Sequence, residues 1–260
     1  MLTATILYNS IARDYSSSLS QASKEPTVAR ATASFLANIG KVTTASQLVN
    51  NSNLYSYVMT AFGLQDMSYA KALIVKVLNG GTSSSGLAQS LNDPRYLALA
   101  KAFNFAETGA STTKNTTTQT TTIESYYQAT IETQAGQENQ GAQMALYFAR
   151  MVPQMNSPYS ILGDSTLLKV AQTAFGLSPS MSDQNIDTQA NEISNLLNIG
   201  KLQTDPTYLN KFLQRFTASY DAQNPTGGVS STPTNALLVT STGISSSLLL
   251  SLANLKLGGS

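Results

Sequence analysis

One five-residue string occurs twice in this chain without a change. Thr60-Ala61-Phe62-Gly63-Leu64 returns 113 positions later as Thr173-Ala174-Phe175-Gly176-Leu177. Downstream of each copy the order is kept: Asp93-Pro94-Arg95-Tyr96-Leu97 is echoed 112 positions later by Asp205-Pro206-Thr207-Tyr208-Leu209. Two matches in the same order and nearly in register point to an internal duplication. Its period is too long for a solenoid repeat, whose units run from about 20 to 50 residues. The chain therefore reads as two related helical modules in tandem.

Both strings are helix punctuation. Gly after an apolar run supplies the left-handed residue that closes a helix. Asp-Pro opens one, with an acceptor for orphan N–H groups and a ring already set to helical φ. Between these marks the apolar residues recur at 3–4 spacing: Val28, Phe35 and Ile39 after Pro26; Leu54, Val58 and Phe62 before Gly63; Leu167, Ala171 and Phe175 before Gly176; Leu209, Phe212, Leu213 and Phe216 after Pro206. Asp66 is expected to cap a helix over residues 67–78. Runs of β-branched alternation are missing, so the predicted fold class is all-α. Phe62 and Phe175 are both expected in the core, and truncating either to Ala should cost about 3–5 kcal/mol.

The organisation follows from composition shifts. Residues 1–106 read as an N-terminal helical repeat and 123–222 as a C-terminal one. Between them, 107–122 is a Thr-rich linker: Asn115 to Thr122 contains six Thr and one Gln and no apolar side chain. Residues 223–260 read as a Ser/Thr/Gly linker followed by a Leu-rich terminal helix. Two amphipathic ends flank the repeats, Ile6, Leu7, Ile11, Tyr15 and Leu19 in one N-terminal helix, and Leu248, Leu249, Leu252, Leu255 and Leu257 in the other. They either pack on the core or dock a partner by helix-in-groove or coiled-coil contacts.

Composition removes whole classes of chemistry. The 260 residues include no His, no Cys and no Trp, which excludes imidazole or thiolate metal sites, His-based triads, thiol nucleophiles and disulfides. Charged residues are 11% against about 25% in an ordinary soluble domain. Ser, Thr, Asn and Gln, 99 residues together, take their place. Lys and Arg number 15 against 14 Asp and Glu, a balance that argues against nucleic acid. The longest apolar runs are far short of the roughly 20 residues that cross a bilayer. Met1 to Tyr8 carries no basic leader ahead of an apolar run, so no cleaved signal peptide is expected.

The residues Ile39-Gly40-Lys41-Val42, Tyr57 to Leu64, Asp66 to Lys71 and Asn92 to Tyr96 resemble an uncharacterised domain family of flagellated bacteria. The second copy resembles it through Leu167 to Leu177, Asp205 to Leu209 and Arg215 to Asp221. Genes of that family tend to sit in flagellar gene clusters, and the family offers no established catalytic residues to transfer. The resemblance implies a non-enzymatic flagellum-associated structural or interaction protein, with other flagellar proteins as partners. It implies either export by the flagellar secretion route or a place in the cytoplasm beside the export machinery. A cytoplasmic chaperone or regulator of a flagellar subunit is the alternative, and predicts an apolar groove between the repeats. A cryptic hydrolase comes third and predicts a cleft with convergent carboxylates of perturbed pKa.

The candidate chemical groups each have a plainer reading. Ser68 and Lys71 have Ser-x-x-Lys spacing, but no Lys-Thr-Gly strand accompanies them. Glu124 and Glu132 lie about 12 Å apart along one helix, too far for a glycosidase pair, and read as a solvated face. Asp183 and Asp187 suit a helix N-terminus. With Asn185 they resemble the start of a calcium loop, yet Thr188 stands where that loop needs Gly and Ser194 where it needs Glu. Asn115-Thr116-Thr117 is a formal glycosylation sequon. Tyr55, Tyr57, Tyr69, Tyr96, Tyr126 and Tyr127 either line a groove or half-bury at helix contacts. No catalytic, cofactor-binding or metal-ligating residue is assigned.

Overall fold

Every regular element among residues 2–225, the part of the chain that the computed structural model describes, is helical. Two helices open it, α1 (Ala4–Arg13) and α2 (Tyr15–Lys24). The single N-terminal helix expected from the apolar stripe is divided because the Asp14 side chain accepts the Ser17 N–H at 3.2 Å and starts a second helix. A first core is then built by α3 (Pro26–Ile39), α4 (Ala45–Asn50), α5 (Ser52–Ala61), α6 (Lys71–Gly80), α7 (Leu87–Ser90), α8 (Pro94–Ala102) and α9 (Phe105–Thr108). The long α10 (Thr116–Glu138) leads to α11 (Gln140–Met151), α12 (Pro158–Leu162), α13 (Ser165–Phe175), α14 (Ile186–Leu196), α15 (Ile199–Thr204) and α16 (Pro206–Gln223), which surround a second core.

The two duplicated strings have the same local geometry. Gly63 and Gly176 sit at φ 70° and 66°, where an L side chain is strained. Leu64 N–H reaches Met59 O at 2.8 Å and Leu177 N–H reaches Gln172 O at 2.9 Å, the long closing bond of a Schellman cap. After each cap comes a 3-10 turn (Gln65–Met67 or Pro179–Asp183), then three helices, the last opened by Asp-Pro. Asp93 accepts the Arg95 N–H at 2.9 Å, and Asp205 accepts the Thr207 and Tyr208 N–H groups at 2.9 and 3.1 Å.

Two cores fill the interior. Phe35, Ile39, Met59, Leu78 and Phe103 are fully buried in the first; Phe148, Met151, Leu167, Leu213 and Phe216 in the second. Removing one such side chain from water stabilises by about 1.5–3 kcal/mol. The helix α10 serves both, with Ile123 and Tyr126 against the first core and Ile131 and Ala135 in the second.

Three expectations are corrected. The Thr-rich stretch is ordered: residues 109–114 form a 3-10 helix, and 116–122 are the first two turns of α10. Threonine can be buried without hydrophobic neighbours when its hydroxyl finds a carbonyl. Thr113 Oγ1 donates to Val42 O at 2.6 Å, Thr118 Oγ1 to Ala102 O at 3.0 Å, and Thr122 Oγ1 to Thr118 O at 2.7 Å. Next, the boundary at residue 106 does not follow the cores, because Leu7, Tyr8 and Ala22 belong to the second. The end of α16 holds α1 there: Asp221 accepts the Ala4 and Thr5 N–H groups at 2.7 and 3.0 Å, a carboxylate on the positive end of the helix. Gly141 permits the approach, since a Cβ there would meet Ala4 Cβ at 2.8 Å and overlap the Tyr220 ring. Last, α6 begins at Lys71 and not after Asp66, which stands in the 3-10 turn.

No helix among the described residues is long and apolar enough to cross a membrane. The Leu-rich segment Leu248 to Leu257 lies outside the described residues.

Candidate functional site

The two cores meet along a seam of charged side chains. At its centre, Arg150 on α11 donates through Nε and Nη2 to the two carboxylate oxygens of Glu132 on α10, at 2.5 and 2.8 Å. Both side chains are buried, 7% exposed each. Burial pushes the Glu132 carboxyl up, and the charge and hydrogen bonds of Arg150 pull against that shift. Burial also works against the charge on Arg150, but Glu132 outweighs it and holds the guanidinium protonated. The third direction of the fork is used as well: Nη1 donates to Ala61 O, at the end of α5, at 3.1 Å. Arg150 thus closes a helix of the first core from a helix of the second.

The second copy of the string is closed in the same way by another arginine. Arg215 Nε on α16 donates to Ala174 O at 2.6 Å, and its guanidinium lies 4.8 Å from the centroid of the Phe175 ring. Ala61 and Ala174 hold the same place in the duplicated string. Neither contact was legible in the sequence, because the two arginines come from different elements at unrelated offsets.

A second charged group surrounds Arg95, at the start of α8. It holds both oxygens of Asp93, reaches Asp66 at 3.0 Å and Gly63 O at 2.9 Å, and lies 3.5 Å from Asp164, the cap of α13. Tyr147 donates to the other side of this joint, its hydroxyl 2.5 Å from Asp164 Oδ2. Burial raises the Asp93 carboxyl and Arg95 opposes the shift. Burial, then the Asp164 charge, drive the Tyr147 phenol well above its ordinary range. Two helix starts and one helix end are fastened to one guanidinium.

Two cavities share Arg150 in their lining. The smaller, about 390 Å³, is walled by charged groups, Asp66, Arg95, Glu132 and Asp164 among them, and by the neutral Tyr147 phenol. A convergence of carboxylates is therefore present, as hydrolysis would require, but Asp66 and Glu132 are hydrogen-bonded to a guanidinium and Asp164 lies 3.5 Å from one. The larger cavity, about 670 Å³, lies between α1, α2, α8, α10, α11 and α16. Phe62, Leu146, Met151 and Leu209 give it an apolar wall; Thr117, Thr121, Ser125 and Gln128 line it from α10. Tyr8 and Tyr15 complete it. Burial pushes both phenols up to about 12, with the Glu132 charge adding to the effect at Tyr15 and Arg150 opposing it.

The sequence candidates fall mostly elsewhere. Ser68 follows the 3-10 turn and Lys71 starts α6, so no single helical face carries both; Lys71 lies 5.7 Å from the Tyr55 ring centroid. Glu124 is exposed at the large cavity, but Glu132, expected on a solvated face, is buried because Arg150 meets it. Asp187 sits in the first turn of α14 and accepts the Tyr159 hydroxyl at 2.6 Å, while Asp183 ends a 3-10 turn. Asn115 caps α10. Of the six tyrosines singled out, Tyr55, Tyr57 and Tyr96 are core residues, Tyr126 and Tyr127 are half-buried and Tyr69 is 80% exposed. Tyr57 is stacked between Phe35 and Tyr126. None lines either cavity; Tyr8, Tyr15 and Tyr147 do. Tyr15 stood in the N-terminal stripe, which led toward the seam as did Glu132 and the first copy of the duplicated string.

No curated protein matches the sequence. A crystal structure of a protein from Agrobacterium tumefaciens is similar, with a TM-score of 0.77 and 37% identity over 86% of this chain and 98% of that one. Residues 61–209, from the first cap string to the second Asp-Pro start, match the family described as "Protein of unknown function (DUF1217)". By that match, spanning more than half its length, the chain belongs to this family.

Proposed function

We propose that the protein is a non-enzymatic structural or protein-interaction component associated with the flagellum, built from one helical module used twice. The observation that carries this reading is how the charged seam is bonded. Glu132, Asp93 and Asp164 are engaged by Arg150 and Arg95, which also bind backbone carbonyls of α5 and its cap. A carboxylate held by a guanidinium in this way is a poor general acid, and an arginine closing a helix is not free to bind substrate. The matching caps, turns and Asp-Pro starts support the duplicated module. The flagellar part rests on the family resemblance in the sequence.

Deleting the gene and scoring swimming and filament length tests the proposal: impaired swimming or altered filaments are expected, and normal motility with normal filaments contradicts it. The apolar wall of the large cavity favours a second reading, a chaperone for a flagellar subunit. Pull-down from cell extract separates the two, since a chaperone is recovered with one soluble subunit and a structural component with assembled flagellar parts.

A further inference from the structure

We propose that the 670 Å³ cavity between the two cores is a binding site for an uncharged amphiphilic small molecule, its apolar body against Phe62, Leu146 and Leu209 and an acceptor oxygen on the Tyr8 hydroxyl. The volume falls within the roughly 300–1,000 Å³ of small-molecule sites. Four observations fix the chemistry of the occupant.

First, Tyr8 is only 4% exposed, yet its hydroxyl has no hydrogen-bond partner among the described residues. No fully occluded side-chain oxygen there is left unpaired, so this hydroxyl is part of what Tyr8 shows to the cavity. A phenol donor that is open to the cavity and has no acceptor from the protein is a place for a ligand oxygen. Second, Tyr15 brings another phenol without a bonding partner among the described residues to the same wall. Third, the charges cancel. Lys101, which donates to Gln154 at 2.9 Å, and Glu124 are exposed members of the lining, and Arg150 is already paired with Glu132. With one exposed charge of each sign and Arg150 offset by Glu132, the lining presents no net opposite charge to make up for the hydration an ion would lose on entering. Fourth, Thr117, Thr121, Ser125 and Gln128 follow one another at helical spacing along α10 and give the cavity a polar side opposite in character to its apolar wall. A neutral molecule with one apolar edge and one or more oxygens satisfies all four.

The proposal goes beyond the flagellar reading and does not depend on it. It is tested on the full chain with Prodan, an uncharged fluorophore whose naphthalene body carries one ketone and one dimethylamino group. Prodan is expected to bind saturably at one molecule per chain, with emission shifted to shorter wavelength. Tyr8→Phe, which keeps the ring, is expected to weaken binding about five- to tenfold, the loss of about one hydrogen bond, without lowering the melting temperature. Ala12→Trp, at an exposed position in the lining, is expected to abolish binding by filling the space. The anionic probe anilinonaphthalene sulfonate is expected to bind at least tenfold more weakly than Prodan. Prodan emission that does not saturate overturns the proposal, as does binding that both variants leave unchanged, or equal affinity for the anionic probe.

Discussion

A Cβ added at Gly63 would press on the Tyr147 ring at 3.3 Å and on Arg150 at 3.4 Å, whereas at Gly176, in the same string with the same φ, it would meet nothing within 4 Å. The phenylalanines beside them differ in the same sense. Phe62 is 3% exposed, 6.3 Å from Phe103, and forms part of the cavity wall; Phe175 is half-buried under the exposed Arg215. One copy of the string is enclosed in the seam between two cores, and the other closes a helix near the surface. Five identical residues specify the backbone of a helix end. What covers that end is decided by the partners the rest of the chain brings.

The largest difference between the copies is expected at the arginines. Arg150→Met leaves Glu132 buried without a partner and should cost about 3–5 kcal/mol in urea denaturation. Arg215→Met removes an exposed contact and should cost about 1 kcal/mol or less. Equal losses would break the comparison. The rings come next: Phe62→Ala should cost about 3 kcal/mol and Phe175→Ala about half of that, since less of its surface leaves water. This revises the equal cost expected when both rings were assigned to the core.

A third effect of about 2 kcal/mol belongs to the seam around the first copy. The Tyr8 phenol holds its proton up to about 12, against the ordinary 10 that it regains on unfolding. Between these values the unfolded chain has released a proton that the folded one keeps, so stability falls as the pH rises from 10 to 12. Urea melts across that range should lose this contribution in Tyr8→Phe. The smallest contrast is at the glycines. Gly176→Ala meets only left-handed strain, about 1 kcal/mol, and Gly63→Ala adds crowding against Tyr147 and Arg150, for about 2 kcal/mol in all.

These contrasts also mark how far the sequence could be read. Asp93-Pro94, Asp205-Pro206, Gly63 and Gly176 were legible because a cap is a local event, decided by a side chain and the few N–H or C=O groups beside it. Pro26 opened α3 for the same reason. The Thr-rich stretch was misread because its stability is not local: Thr113 depends on Val42 O and Thr118 on Ala102 O, neither of which composition can place. Likewise α1 is fixed by Asp221 from the far end of the described chain. The seam was least legible of all. Glu132 and Arg150 lie 18 positions apart on two helices joined at Asn139, and only the turn between those helices brings them together.

The most direct test of the central claim, that the seam charges are joints of the fold, is a double-mutant cycle by urea denaturation on Glu132→Leu and Arg150→Met. Each single variant is expected to lose about 3–5 kcal/mol, and the double variant to lose clearly less than either, because no buried charge is then left alone. Single variants as stable as the parent chain, or losses that simply add in the double, would contradict it.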